Sequence, residues 1–170
     1  MYSGLVVRAR GGAAYCFGTW NKVFISLWRL AATPEGVSEM NRMVRVFILE
    51  EQRAGPGPVH FLGVVEPTSP PPNDVAREAL ATFSRDTIPK MGVAVLVAEG
   101  GPFRSAFVRA VGVALTTLMP HRVPFKFVTT VEEAGPHFSQ YLLPSMGGVE
   151  ALRRAVDELR AEIPAAAVRT

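Results

Sequence analysis

The chain has 170 residues, of which 48% are hydrophobic and 19% charged, and its net charge is +3. That length suits one domain with one core, and a core of that size needs no covalent staples. The single cysteine, Cys16, excludes an internal disulfide, so nothing argues for an oxidising compartment.

The 18 basic residues are almost all arginine and run from Arg8 to Arg169. Only Arg8 with Arg10, Arg42 with Arg45, and Arg153 with Arg154 lie close together. A nucleic-acid binder gathers such residues on one stripe, so nucleic acid is not an expected partner. Gly12, Ala13 and Ala14 lead up to Cys16 as in a lipoprotein leader. No continuous apolar stretch precedes them, and Tyr15 is bulky beside the cysteine, so Cys16 is expected as a small hydrophobe in a strand. The longest apolar helical run, Val108 to Met119, is too short for a bilayer. The expected location is the cytoplasm, with no membrane contact.

In chain order, Leu5 to Arg10 and the AYCFGTW stretch read as strands, punctuated by Gly11 and Gly12. Asn21 and Lys22 make a turn. In the next segment Phe24, Ser26 and Trp28 alternate with Val23, Ile25, Leu27 and Arg29, as a strand of an antiparallel meander should. Thr33 and Pro34 open a helix in which Val37, Met40, Val44, Phe47 and Ile48 recur at helical spacing. His60 to Val65 is short and apolar, which suits a buried parallel strand.

A stiff loop, EPTSPPPND, follows. Asn73 or Ser69 caps the next helix, whose apolar face is read as Val75, Ala79, Leu80, Phe83 and Ile88. Val93 to Ala98 has no polar residue and is the clearest strand. A helix from Pro102 is apolar around much of its circumference. Phe125 to Thr130 is a further strand, and Thr130 with Glu133 forms a capping box. Pro136 kinks or interrupts the helix that follows. In a last helix Val149, Leu152, Val156, Leu159 and Ile163 step by three and four, and Glu150 is placed to pair with Arg154.

Strands alternating with helices imply parallel pairing through right-handed crossovers. The expected fold is α/β: a mixed β-sheet with antiparallel N-terminal strands and βαβ units, helices packed on it, and an extra C-terminal helix. One domain spans residues 1–170, with a core of about 23–141 and the additional helix at 146–163.

This order resembles the STAS superfamily, the fold of bacterial anti-sigma-factor antagonists and their SpoIIAA-like relatives. The resemblance covers about Val23 to Tyr141. It rests on element order, on the turn from Glu66 to Asp74, on VAVLVAEGGPFRSAFVRAV and on TTVEEA. It implies signalling work without catalysis: a regulatory or scaffold domain that binds another protein, or an apolar or nucleotide-like ligand. The family's phosphorylatable Ser or Thr sits where a central strand turns into a helix, a position held here by Thr68 and Ser69. The chain departs from that pattern, since Pro67, Pro70, Pro71 and Pro72 crowd the turn and the family's small residue and glycine are missing.

In open α/β sheets, ligands gather at the carboxyl ends of the parallel strands. That rule places Glu66, Thr68, Ser69, Glu99, Gly100, Gly101, Arg104, Thr129 and Thr130 on one edge. Glu66 and Glu99 could work there as acid and base on a small apolar or anionic ligand. The simpler account pairs Glu99 with Arg104 or leaves it in water. Gly100, Gly101 and Pro102 could hold an anion on free N–H groups, yet GxGxxG and a Walker lysine are missing, and an ordinary helix start explains them.

His60, His121 and His137 lack metal-ligand spacing, so neither a metal nor a cofactor is expected. Trp20 and Trp28 read as core. The edge residues Glu66, Thr68, Ser69, Glu99, Gly101 and Arg104 are therefore expected to meet a protein partner. A homodimer through the C-terminal helix is a second arrangement, although its stripe covers only about two heptads.

Overall fold

The computed structural model describes residues 4–101, 125–141 and 147–165. Its strands are β1 (Leu5–Arg10), β2 (Tyr15–Trp20), β3 (Val23–Trp28), β4 (His60–Val65), β5 (Ala94–Ala98) and β6 (Phe125–Val128). Its helices are α1 (Pro34–Ala54), α2 (Asp74–Asp86), α3 (Val131–Phe138) and α4 (Gly148–Ala161), with a 3-10 turn at Ile88–Lys90. The fold is α/β, as the alternation of periods implies.

The strands form one sheet in the order β1-β2-β3-β4-β5-β6. β1, β2 and β3 pair antiparallel, and β3 to β6 pair parallel. β5 lies inside the sheet, between β4 and β6. Asn21 takes a φ of 51° at the tight β2–β3 connection, a conformation that asparagine tolerates. At the β1 edge the register shifts between Val7 and Ala9, so Arg8 forms a bulge. A bulged, arginine-bearing edge resists pairing with another strand.

Because strand order advances one way, right-handed crossovers put the connecting helices on one face. α1 and α2 share that face, where Phe17, Phe24, Trp28 and Phe61 meet Val37, Met40, Phe47 and Phe83. On the other face Cys16, Ile25, Leu27, Leu62, Val64, Val95 and Val97 meet α3 and α4 through Val131, Phe138, Leu152, Val156 and Leu159. The alternation along β3 sorts residues between these two cores as the sequence implies. Trp20 and Trp28 are both buried, and so is Cys16. Burial pushes the Cys16 thiol up to about 11, so it is an inert small hydrophobe.

The helix starts follow local chemistry. Thr33 accepts from the Gly36 amide, with Pro34 in the first turn, and Asn73 accepts from the Ala76 amide. Thr130 accepts from the Glu133 amide, while Glu133 returns its carboxylate to the Thr129 amide and hydroxyl. The box thus closes one residue earlier than the usual pattern. Pro136 lies inside α3, which ends two residues later at Phe138.

Two expectations need correction. Val75 does not line the buried face of α2: it is 61% exposed, and Ala76 is buried in its place. Val75 lies about 100° around α2 from Ala76, off the stripe of Ala76, Ala79, Leu80 and Phe83 that faces the sheet. Glu150 pairs with Arg153 rather than Arg154, and Arg153 also reaches Asp157. One guanidinium thereby joins acids on the turns either side of it. The helix expected from Pro102, with its run Val108 to Met119, lies outside the described residues, as do Arg104 and His121. Among the described residues no helix is long and apolar enough to cross a membrane.

Candidate functional site

Parallel pairing of β3, β4 and β5 brings their C-terminal ends to one rim. The residues leaving those ends are Arg29, Glu66 and Glu99. Arg29 donates to Glu66 twice, from Nε at 2.6 Å and from Nη2 at 3.3 Å. The same guanidinium donates to the Ile163 and Arg160 carbonyls at 3.0 and 3.3 Å. Those carbonyls belong to the C-terminal end of α4, where a cation is favoured by the helix dipole. Arg160 completes the cluster. Its Nη2 donates to Glu99 Oε1 at 2.9 Å. Its Nε lies 3.0 Å from Glu66 Oε1 without hydrogen-bond alignment, so that contact is electrostatic.

Burial grades the cluster. The Glu66 side chain is 8% exposed, Arg29 20% and Arg160 32%. A carboxylate buried to that degree needs cationic partners, and Glu66 has two. Hydrogen bonding to Glu66 raises the Arg29 pKa above its ordinary value. Arg29 and Arg160 therefore do structural work, joining strand ends to the end of α4. The simpler account of Glu99 was a pair with Arg104, which lies outside the described residues; the partner observed is Arg160.

The loops beside this cluster are stitched together. Thr68 Oγ1 donates to the Arg29 carbonyl at 2.8 Å, and Ser69 Oγ donates to the Leu30 carbonyl at 2.9 Å. The Ser69 amide closes a turn onto the Glu66 carbonyl. Thr68 is on the surface, whereas Ser69 is 4% exposed. Apolar residues of this loop are exposed: Pro67, Pro70 and Pro71, with Leu30 41% exposed where Ser69 is bonded to it; the exposed Asn73 and Asp74 separate them from Val75. Gly101 lies exposed beyond β5 with a φ of 91°. Thr129 and Thr130, at the end of β6, are committed to the start of α3.

Sequence reasoning found the two rim carboxylates from the strand-end rule but missed both arginines. Arg29 stands 37 residues from Glu66, and Arg160 stands 61 residues from Glu99. The one local signal was the phase of Arg29, which falls on the side of β3 that faces α4.

The other candidate groups are placed as follows. His60 is buried and its Nδ1 accepts from the Val93 amide at 3.1 Å. Its ring packs on Tyr141 with centroids 4.3 Å apart. Among the described residues no group of histidine, cysteine and acidic side chains could hold a metal. An open recess of about 520 Å³ lies along the first turns of α1, lined by Pro34, Glu35, Ser38, Glu39 and Arg42. Glu39 in that recess accepts from the Tyr15 hydroxyl. Burial and that bond push the Tyr15 pKa up to about 12.

Comparison with known proteins finds no matching family model, no matching curated protein and no matching solved structure. What the geometry defines is an α/β fold whose strand-end charges are paired and whose neighbouring loop carries exposed prolines.

Proposed function

We propose that this chain is a STAS-like regulatory or scaffold domain that works by binding another protein at the rim around Thr68. One observation carries the reading. The rim charges are spent on one another, while Leu30, Pro67, Pro70 and Pro71 beside Thr68 are apolar and exposed, on a loop pinned by the Thr68 and Ser69 hydroxyls. Exposed apolar surface rimmed by polar groups is characteristic of a contact site. A general acid or base must reach a substrate proton, and Glu66 is buried under two guanidinium groups.

A homodimer through α4 is the weaker arrangement. Leu152, Val156 and Leu159 of its apolar stripe are already buried against the sheet and α3. A dimer would have to use the charged face of that helix instead.

The test is affinity capture with the full chain as bait, with identification of the proteins that co-purify from native lysate. A specific protein should be recovered, and Thr68→Arg should weaken its recovery while lowering stability by no more than the about 1 kcal/mol of its lost bond to the Arg29 carbonyl. Recovery of chaperones alone, or an unaffected Thr68→Arg bait, would count against the rim as a contact site.

A further inference from the structure

The loop that carries these exposed prolines has a backbone fixed by its own sequence. Proline locks φ near −65°, and a residue before proline is held to extended ψ. Pro70 and Pro71 meet both conditions, since each is itself proline and precedes one. Both conditions together define the polyproline II conformation. Ser69 precedes Pro70 and is held extended, and Asn73 at the far end has φ −69° and ψ 175°. Residues 70–73 belong to no helix or strand, and no peptide bond among the described residues is cis. Pro67 and Pro70 have the PxxP spacing, but Ser69 closes a turn onto Glu66 between them, so the extended arc begins at Ser69.

Both ends of the arc are fastened. Ser69 is buried with its hydroxyl on the Leu30 carbonyl, and Asn73 caps α2 through the Ala76 amide. Pro70 and Pro71 between these anchors are exposed. The arc offers rings without N–H groups and the carbonyls of Pro71 and Pro72, which no neighbouring proline can engage; the Pro70 carbonyl receives the Ser69 hydroxyl at 3.5 Å and the Asn73 carbonyl the Arg77 amide. The surface that complements it is a groove of aromatic side chains whose indole N–H or phenol O–H groups donate to those carbonyls. A segment already held in its bound shape also avoids the ordering cost of a flexible peptide.

We propose that Ser69 to Asn73 is a preformed polyproline II docking element, and that the partner of this domain receives it in an aromatic-lined groove. This rests on the reading of the rim as a protein contact and names the kind of partner it takes.

The experiment uses the full chain as bait and a free proline decapeptide as competitor, with a Gly-Ser decapeptide as control. The protein held by the wild-type bait should be released by the proline peptide and not by the control. A bait carrying Pro70→Ala and Pro71→Ala should recover it about tenfold less. Circular dichroism and the unfolding midpoint report whether that variant keeps its fold; should the midpoint fall, release by the proline peptide decides alone. A protein that resists the proline peptide, yet is lost with Thr68→Arg, would overturn the docking element and leave the rim contact standing. A wild-type bait that recovers only chaperones would overturn both.

Discussion

His60 shows how an interior residue fixes a pH response. Its Nδ1 accepts the Val93 amide, and its pKa is pushed down to about 4, first by burial and then by the charge of Lys22. In the unfolded chain an imidazole titrates near 6.5. The proton therefore binds the unfolded chain more readily. The stability at stake is complete above pH 6.5, is lost as pH falls toward 4, and changes no further below that. Between pH 7 and pH 5 the loss from this group should be about 2 kcal/mol in urea unfolding. His60→Asn offers Oδ1 as a replacement acceptor and should remove that part of the slope. An unchanged slope would show that His60 does not titrate as its burial implies. The strand-end rule also works at this scale: it found Glu66 and Glu99 because each directly follows an apolar strand. It could not find Arg29 and Arg160, because their contacts span 37 and 61 residues and a lone arginine carries no pattern.

Elements were legible where chemistry is local. The caps at Thr33, Asn73 and Thr130 need only a side-chain oxygen a few residues before an apolar run. The two faces of β3 needed only alternation. Val75 was misplaced because it stands four residues before Ala79 just as Ala76 stands four before Leu80, so spacing alone did not choose which of the two starts the buried stripe. The approach of α3 to α4 was invisible, since it depends on a missing side chain. A Cβ built on Gly135 would collide with Val149 of α4. Gly135→Ala should therefore cost about 1–3 kcal/mol through overpacking, against a gain of under ~1 kcal/mol in helix propensity. Urea unfolding checks the sign, and a stabilised variant would mean that Val149 yields freely.

For the molecule as a whole, apolar burial and the rim cluster divide the work on α4. Burying Leu152, Val156 and Leu159 is worth roughly 5–9 kcal/mol as an upper estimate. The partly exposed pair of Arg160 with Glu99 contributes about 1 kcal/mol or less, and the better buried pair of Arg29 with Glu66 contributes more. Burial thus attaches the helix, and the guanidinium groups set where its end lies against the rim. That arrangement leaves Glu66 and Glu99 as parts of the fold. The most direct measurement is a double-mutant cycle by urea unfolding, with Arg29→Met, Glu66→Gln and both together. The account predicts a coupling of about 1–3 kcal/mol, with the second substitution costing little once the first is made. Additivity within about 0.3 kcal/mol would mean that the two side chains do not act together, and that Glu66 is held for some purpose other than the lock.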